Sequence, residues 1–304
     1  MKPFIIFGLA ALVVPCIITA QSLERMSVKK PYDQSKNKGG GKGGTPTILY
    51  HGGTVMTGAP VNVYVIYYGD VPTGTQIIIN TFLTDLRTAS DSYYTVNDTY
   101  YDLSKNTVAS TFDFSAVTGM VYIDNPPSQG SRISSSSIPK IVQNAINARG
   151  LPADENGVYF VLTSPDVSVS GFCKSFCAYH TSSTAIVSGQ HIRFALVPDP
   201  GTKCGGCDGN IAVYSQSVTP NGDQGADEMT DSIMHELSET ATDPEGTGWF
   251  TSGGEEDGDL CNYTYGTPLS PGPSNGATAN VLMNGHFYLI QKIWTNLTPQ
   301  HCAP

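Results

Sequence analysis

Charge is scarce in this chain: Asp, Glu, Lys and Arg make up 14% of its 304 residues, and basic side chains are outnumbered 16 to 26. The formal charge of −10 repels phosphates and argues against nucleic acid as a partner. Long apolar runs are scarcer still. Phe4 to Ile18 is the one extended stretch, and it falls short of the ~20 apolar residues of a membrane-spanning helix. Nothing later comes closer, so no transmembrane segment is expected. There is no internal repeat and no EF-hand spacing.

What is present begins with an export signature. Lys2, the apolar run and the small pair Thr19-Ala20 read as a signal peptide over residues 1–20, which makes the protein secreted. Residues 21–46 show no hydrophobic period. Their glycines, with Arg25, Lys29, Lys30, Lys36, Lys38 and Lys42 against Glu24 and Asp33, bury too little to offset ordering, and a flexible Gly/Lys-rich linker is expected. Residues 47–304 then form a single globular domain.

Cys16 lies in the signal. Cys173, Cys177, Cys204, Cys207, Cys261 and Cys302 remain, and an even number in an exported chain favours three disulfides, with fifteen pairings open. A four-thiolate zinc site at the first four is the reading for a reducing compartment. Asn97 and Asn262 stand in N-x-Thr sequons and are candidate glycosylation sites.

The domain opens on Val61 to Gly69, VNVYVIYYG, a strand covered on both faces. Gln76 to Ala89 follows as a helix through Ile78, Phe82 and Leu86, the order of a layered α/β unit. Tyr93 to Thr118 should supply one or two strands and Val121 to Asp124 another. Pro139 in a first turn, then Ile138, Val142, Ile146 and the stop at Gly150, mark a second helix. Gly157 to Thr163 reads as a buried strand, with Ile192 to Val197 and Ile211 to Ser217 as shorter ones. The fold class is α/β on the α+β border, a layered mixed sheet with helices on its faces and a disulfide-stapled C-terminal half.

Chemistry concentrates between Asp231 and Pro244, DSIMHELSETATDP. On a helix from about Ala226 to Ala241, Met229, Ile233, Leu237 and Ala241 form an apolar stripe. His235 and Glu239, four residues apart, project side by side, about 40° apart around the axis. Glu236 points about 100° away from His235, placed to reach a water beside a cation held by the other two. This is the logic of H-E-x-x-H with the second His replaced by Glu. A solvated face has the same spacing. Against that, residues 232–242 carry no other charge, as expected if protein covers the polar side. Downstream, Glu255, Glu256, Asp257 and Asp259 crowd into five positions and repel one another unless a cation or solvent intervenes. Glu256 or Asp259 is the expected third ligand. Asp243 is a weaker candidate, since Asp before Pro commonly serves the turn.

Several segments together resemble the EXORDIUM or phosphate-induced-protein family: residues 50–69, GFCKSFCAYH (171–180), the CGGC pair, NGDQGADEMTDSIMHELSETATDPEGTGWF (221–250) and the terminal LIQKIW with Cys302. The resemblance implies an extracellular or cell-wall location and, in plants, a link to growth. H-E-x-x-E followed by Glu256-Asp257-Gly258-Asp259-Leu260-Cys261 is similar to the branch able to bind metal, and the layered order is zincin-like. The function expected is a zinc-dependent, peptidase-like hydrolase, with Glu236 as general base and zinc, or a harder divalent ion such as calcium or manganese, on His235, Glu239 and a third acid. The alternative is a non-catalytic extracellular or cell-wall factor with a structural or vestigial metal. The partner is accordingly a peptide or a wall or matrix component. His180, His191, His286 and His301 are expected to be structural or surface residues, His180 being the one to watch because it follows the cysteine pair.

Overall fold

The computed structural model describes residues 27–31, 46–90, 92–148, 150–201 and 204–303. The signal segment and most of the expected linker lie outside them. In chain order the strands are β1 Ser27–Lys29, β2 Leu49–Tyr50, β3 Val61–Tyr68, β4 Phe112–Asp113, β5 Val121–Asp124, β6 Arg132–Ile133, β7 Gly157–Thr163, β8 Ser168–Val169, β9 Ala178–Val187, β10 Gln190–Pro198, β11 Trp249–Phe250, β12 Val281–Met283, β13 His286–Tyr288, β14 Ile293–Thr295 and β15 His301–Ala303. The helices are α1 Thr73–Thr88, α2 Ile138–Asn147, α3 Gly209–Tyr214 and α4 Gln224–Thr242.

Seven strands form one mixed sheet in the order β1-β9-β10-β7-β3-β4, with β5 pairing β3 beyond the end of β4. The pairs β10–β7, β7–β3, β3–β4 and β3–β5 are parallel; β9 runs antiparallel to both β10 and β1. Strand alternation divides the core in two. Val61, Val63, Val65, Tyr67, Phe160, Leu162, Ala178 and Ala195 face α1 and α4. Their neighbours Tyr64, Ile66, Tyr68, Tyr159, Val161, Tyr179 and Phe194 face α2. His180, two residues on from Ala178, therefore belongs to the face covered by α4.

The apolar runs at β3 and β7 are buried along nearly their whole length because helices lie on both faces. In α1 the buried stripe is Ile79, Phe82, Leu83 and Leu86, with Ile78 only half-buried. One expectation is corrected, and another is met only at its lower bound. Ile211 to Ser217, read as a strand from its valine and tyrosine, falls largely in the short helix α3. Tyr93 to Thr118 gives a 3₁₀ helix over Tyr93–Thr99 and only the two-residue β4. The stretch expected to be a linker also holds a surprise, since its residues 27–29 add a strand to the sheet through β9.

The pairing of the cysteines is Cys173–Cys204, Cys177–Cys207 and Cys261–Cys302, which removes the thiolate zinc site. Asn97 is corrected too. Its side chain is fully buried, so a glycan has no room there in the folded protein, whereas Asn262 is half-buried and its Nδ2 donates to the Lys30 carbonyl.

Phe82 anchors α1 edge-on against Tyr288 at 5.1 Å between ring centres. Phe82→Ala should lower stability by about 3–5 kcal/mol, the usual range for emptying a core aromatic site, as read from urea denaturation followed by near-UV circular dichroism.

Candidate metal centre

The helix carrying the His-Glu motif begins at Gln224, two residues before the start expected near Ala226. Asp223 caps α4, its carboxylate accepting from the Ala226 N–H at 3.1 Å, and Asp227 sits in the first turn where the helix dipole favours an acid. At the far end Asp243 Oδ1 accepts from the Gly248 N–H at 2.5 Å, so Asp243 holds the turn. The solvated-face alternative is excluded, because every residue from Gly225 to Thr242 is buried. Its polar side is covered by β9, β1 and the loop through residues 253–261.

Three separate elements deliver donors. His235, Glu236 and Glu239 come from α4, His180 from β9 and Glu256 from the loop. His180 Nε2 lies 3.1 Å from Glu256 Oε2 and 3.6 Å from Glu239 Oε2, while His235 Nε2 is 3.0 Å from Glu239 Oε1. Donor atoms of His180, Glu239 and Glu256 all fall within 4.8 Å of one another, and so do those of His235, Glu236 and Glu239. Glu239 is the shared member. A tetrahedral zinc with bonds of about 2.0–2.2 Å holds its donors roughly 3.3–3.6 Å apart; the two His180 separations, 3.1 and 3.6 Å, lie near that spacing, and the Glu239–Glu256 pair lies within 4.8 Å.

Of the two acids expected to complete the site, Glu256 joins it. Asp259 takes a supporting place: its N–H donates to Glu239 Oε1 at 2.9 Å, and its carboxylate receives the Glu256 N–H at 3.4 Å. The missed residue is His180. A signal for it was available, since Ala178, His180 and Ser182 alternate along β9 on the side facing a helix whose polar residues needed cover.

The loop is held tightly against the helix. Gln291 donates through Nε2 to the Gly258 carbonyl at 2.7 Å and through its backbone N–H to Asp231 Oδ1 at 2.6 Å. The Trp294 N–H donates to the Asp257 carbonyl, and Cys261 is tied to Cys302. Gly258 itself must be glycine. A Cβ there would stand 2.9 Å from both Glu239 Oε1 and the His235 ring.

Electrostatics at the centre are one-sided. Burial first, then the charges of Glu239 and Asp259, push Glu236 well above the ordinary carboxylate range; burial, Glu239 and Asp243 do the same to Glu256. Burial and Glu239 raise Asp257 strongly and Asp259 to about 7. Burial and the Lys29 ammonium lower His235 to about 4, leaving a neutral imidazole suited to ligation. The Lys29 side chain and N–H oppose the rise at Glu236. Apart from this approach of the Lys29 N–H, no donor among the described residues meets the Glu236 oxygens, and none meets Glu256 Oε1. Carboxylates enclosed in this way must be protonated or neutralised by a cation.

A mixed-sheet α/β domain, stapled by three disulfides around an enclosed imidazole and carboxylate centre, is the class of protein these features define. Over residues 48–304 the chain matches the family described as Phosphate-induced protein 1 conserved region, and it belongs to that family. It is 28% identical to Protein EXORDIUM-like 5 of Arabidopsis thaliana, covering 81% of this chain and 75% of the relative. It is 29% identical to Protein EXORDIUM-like 3 of the same plant, covering 90% and 87%, and 27% identical to Protein PHOSPHATE-INDUCED 1 of Nicotiana tabacum, covering 81% and 85%. No solved structure matches. The layered α/β class therefore holds without structural support for the finer zincin likeness.

Two outcomes follow for the metal-free protein. Gly258→Ala should cost about 1–3 kcal/mol in denaturant unfolding through forced displacement of Glu239 or His235. In chelator, stability should fall as pH rises from 5 to 8. The four raised carboxyls bind protons in the folded form that the unfolded chain releases near pH 4, so their contribution is lost as pH climbs through about 7. His235, lowered to about 4, works in the opposite direction below pH 6.5 and is one group against four. Urea midpoints across that range check the slope.

Proposed function

We propose that the chain is an exported member of this family organised around a buried divalent-metal centre, with zinc as the ion and His180, Glu239 and Glu256 as its ligands. His235 supports it from the other oxygen of Glu239. The observation that carries the reading is the convergence of these donors within 4.8 Å at 1% exposure or less, amid carboxylates that have no comparable supply of positive charge. Borderline imidazole and carboxylate donors suit zinc, and the shortage of neutral oxygen ligands disfavours calcium. Export is supported by the three disulfides, and no helix among the described residues is long and apolar enough to cross a membrane.

In the fold described, the centre is closed. Closed metal sites are characteristic of structural roles and open ones of catalysis, so the non-catalytic alternative is the better account of the protein in this state. The hydrolase reading draws its support from Glu236, a buried acid beside the donors that a purely structural site does not require. Zinc there would supply Lewis acidity, and Glu236 would accept the proton of a substrate water at one of its ε-oxygens. That reaction needs the covering chain to move aside.

Elemental analysis of the purified, undialysed protein should find close to one zinc per chain, and zinc at about a hundredfold over its Kd should stabilise the apo protein by about 2.7 kcal/mol. His180→Ala and Glu256→Gln should each abolish stoichiometric binding while Glu236→Gln retains it. Absence of any divalent ion, with none taken up on addition, refutes the centre. Retention of metal with loss of a peptidase activity in Glu236→Gln would instead establish the hydrolase.

A further inference from the structure

The polypeptide covering the centre is a short piece of the N-terminal arm, and it is held in the manner of a bound peptide. β1 lies antiparallel on the edge of β9, with Ser27 opposite His180 and Lys29 opposite Ala178. The Lys29 carbonyl accepts from the Cys177 N–H at 2.7 Å. From the other side Asn262 Nδ2 and the Tyr263 hydroxyl donate to the Lys30 carbonyl at 3.2 and 3.0 Å. Pro31 rests on Gly206 of the CGGC turn, where an added Cβ would stand 3.1 Å from the proline ring. These contacts grip backbone, so they read extended shape rather than sequence.

One contact reads a side chain. Lys29 Nζ enters a slot and meets Asp231 Oδ2 at 2.6 Å, with 2% or less of either side chain exposed. The Tyr263 ring lies 5.4 Å from the ammonium, and the Tyr265 hydroxyl donates to the same Asp231 oxygen at 3.3 Å. The slot is built by α4 and by the segment after Cys261, and it encloses the Lys29 side chain. An edge strand that supplies main-chain hydrogen bonds, beside a pocket selecting one side chain, is the arrangement by which proteins take up peptides through strand addition.

We infer that the β9 edge, with the slot formed by Asp231, Tyr263 and Tyr265, is a binding site for extended lysine-bearing peptides, and that residues 27–31 are its built-in occupant. The occupant is covalently continuous with the body through residues 32–45. Tethering gives it a high effective concentration, so a free peptide enters only when the tether is cut or the anchor weakened. The site gives the CGGC turn a purpose, since Gly206 is the surface on which the peptide's proline lies. The inference stands whether or not the neighbouring centre holds a metal.

The test uses the folded mature chain with a specific protease site placed between residues 34 and 44, cut after purification. A labelled peptide of the sequence of residues 25–32 is added, and exchange is followed by fluorescence anisotropy and mass spectrometry, with metal content measured on the same sample. The expected result is release of the native segment and one-to-one uptake of the peptide. Replacing the lysine equivalent to Lys29 by norleucine should weaken uptake about 30-fold or more, because Asp231 is left buried and unpaired. Asp231→Asn should remove the same preference. The norleucine peptide leaves the protein untouched, so the result is independent of how that variant folds. A cut segment that stays bound through prolonged dilution and excess peptide overturns the inference and makes β1 a permanent strand; equal affinity for the lysine and norleucine peptides overturns the slot.

Discussion

The structure depends on a helix that has no outside. Along α4 the apolar stripe of Met229, Ile233 and Leu237 packs on the sheet core, as it does in any layered α/β protein. The other side bears Asp231, His235, Glu236 and Glu239 and is equally buried, and water cannot solvate it. Each polar group must therefore be met by protein or have its charge neutralised. Lys29 arrives from the N-terminal arm, His180 from β9, the Gly258 turn from the acidic loop and Gln291 from near the C-terminus. Much of the long-range order of the chain consists of satisfying one helix face.

That requirement explains the small residues around it. Gly258 lies against the His235 ring and Glu239, and Gly225 lies against Asp199 so closely that a Cβ would overlap the carboxylate. Gly248 approaches the Thr242 carbonyl in the same way. Glycine is required at these places by contact with neighbouring polar atoms, and the backbone can close over the helix only because those side chains are missing.

Much of this was legible from the residues. β3 and β7 stand out because strands buried on both faces need unbroken apolar runs, and α4 because an apolar stripe and a His-Glu spacing coincide ahead of Pro244. That His235, Glu239 and Glu256 lie in one buried cluster was foreshadowed by helical spacing and by the mutual repulsion of four acids within five positions. His180 was harder to see. β9 reads AYHTSSTAIV, and Thr181, Ser182 and Ser183 are buried with it, so the usual link between burial and hydrophobicity fails where the facing helix is itself polar. The 27–31 segment was invisible for a related reason: SVKKP has no hydrophobic period, and what orders it is backbone pairing with β9, contacts to Asn262 and Tyr263, and an ion pair with Asp231, all with partners far away in sequence. Ile211 to Ser217 misled because local β propensity was overridden by its surroundings.

The register of β1 has a temporal consequence. Ser27 sits opposite His180, so β1 leaves the ribosome early but finds its place only after the middle of the chain has been made and β9 has formed beside β10. Such a contact, closed across a long loop, is slow to form and forms late. During that interval the polar side of α4 is accessible from one direction, until the earliest-made segment shuts it.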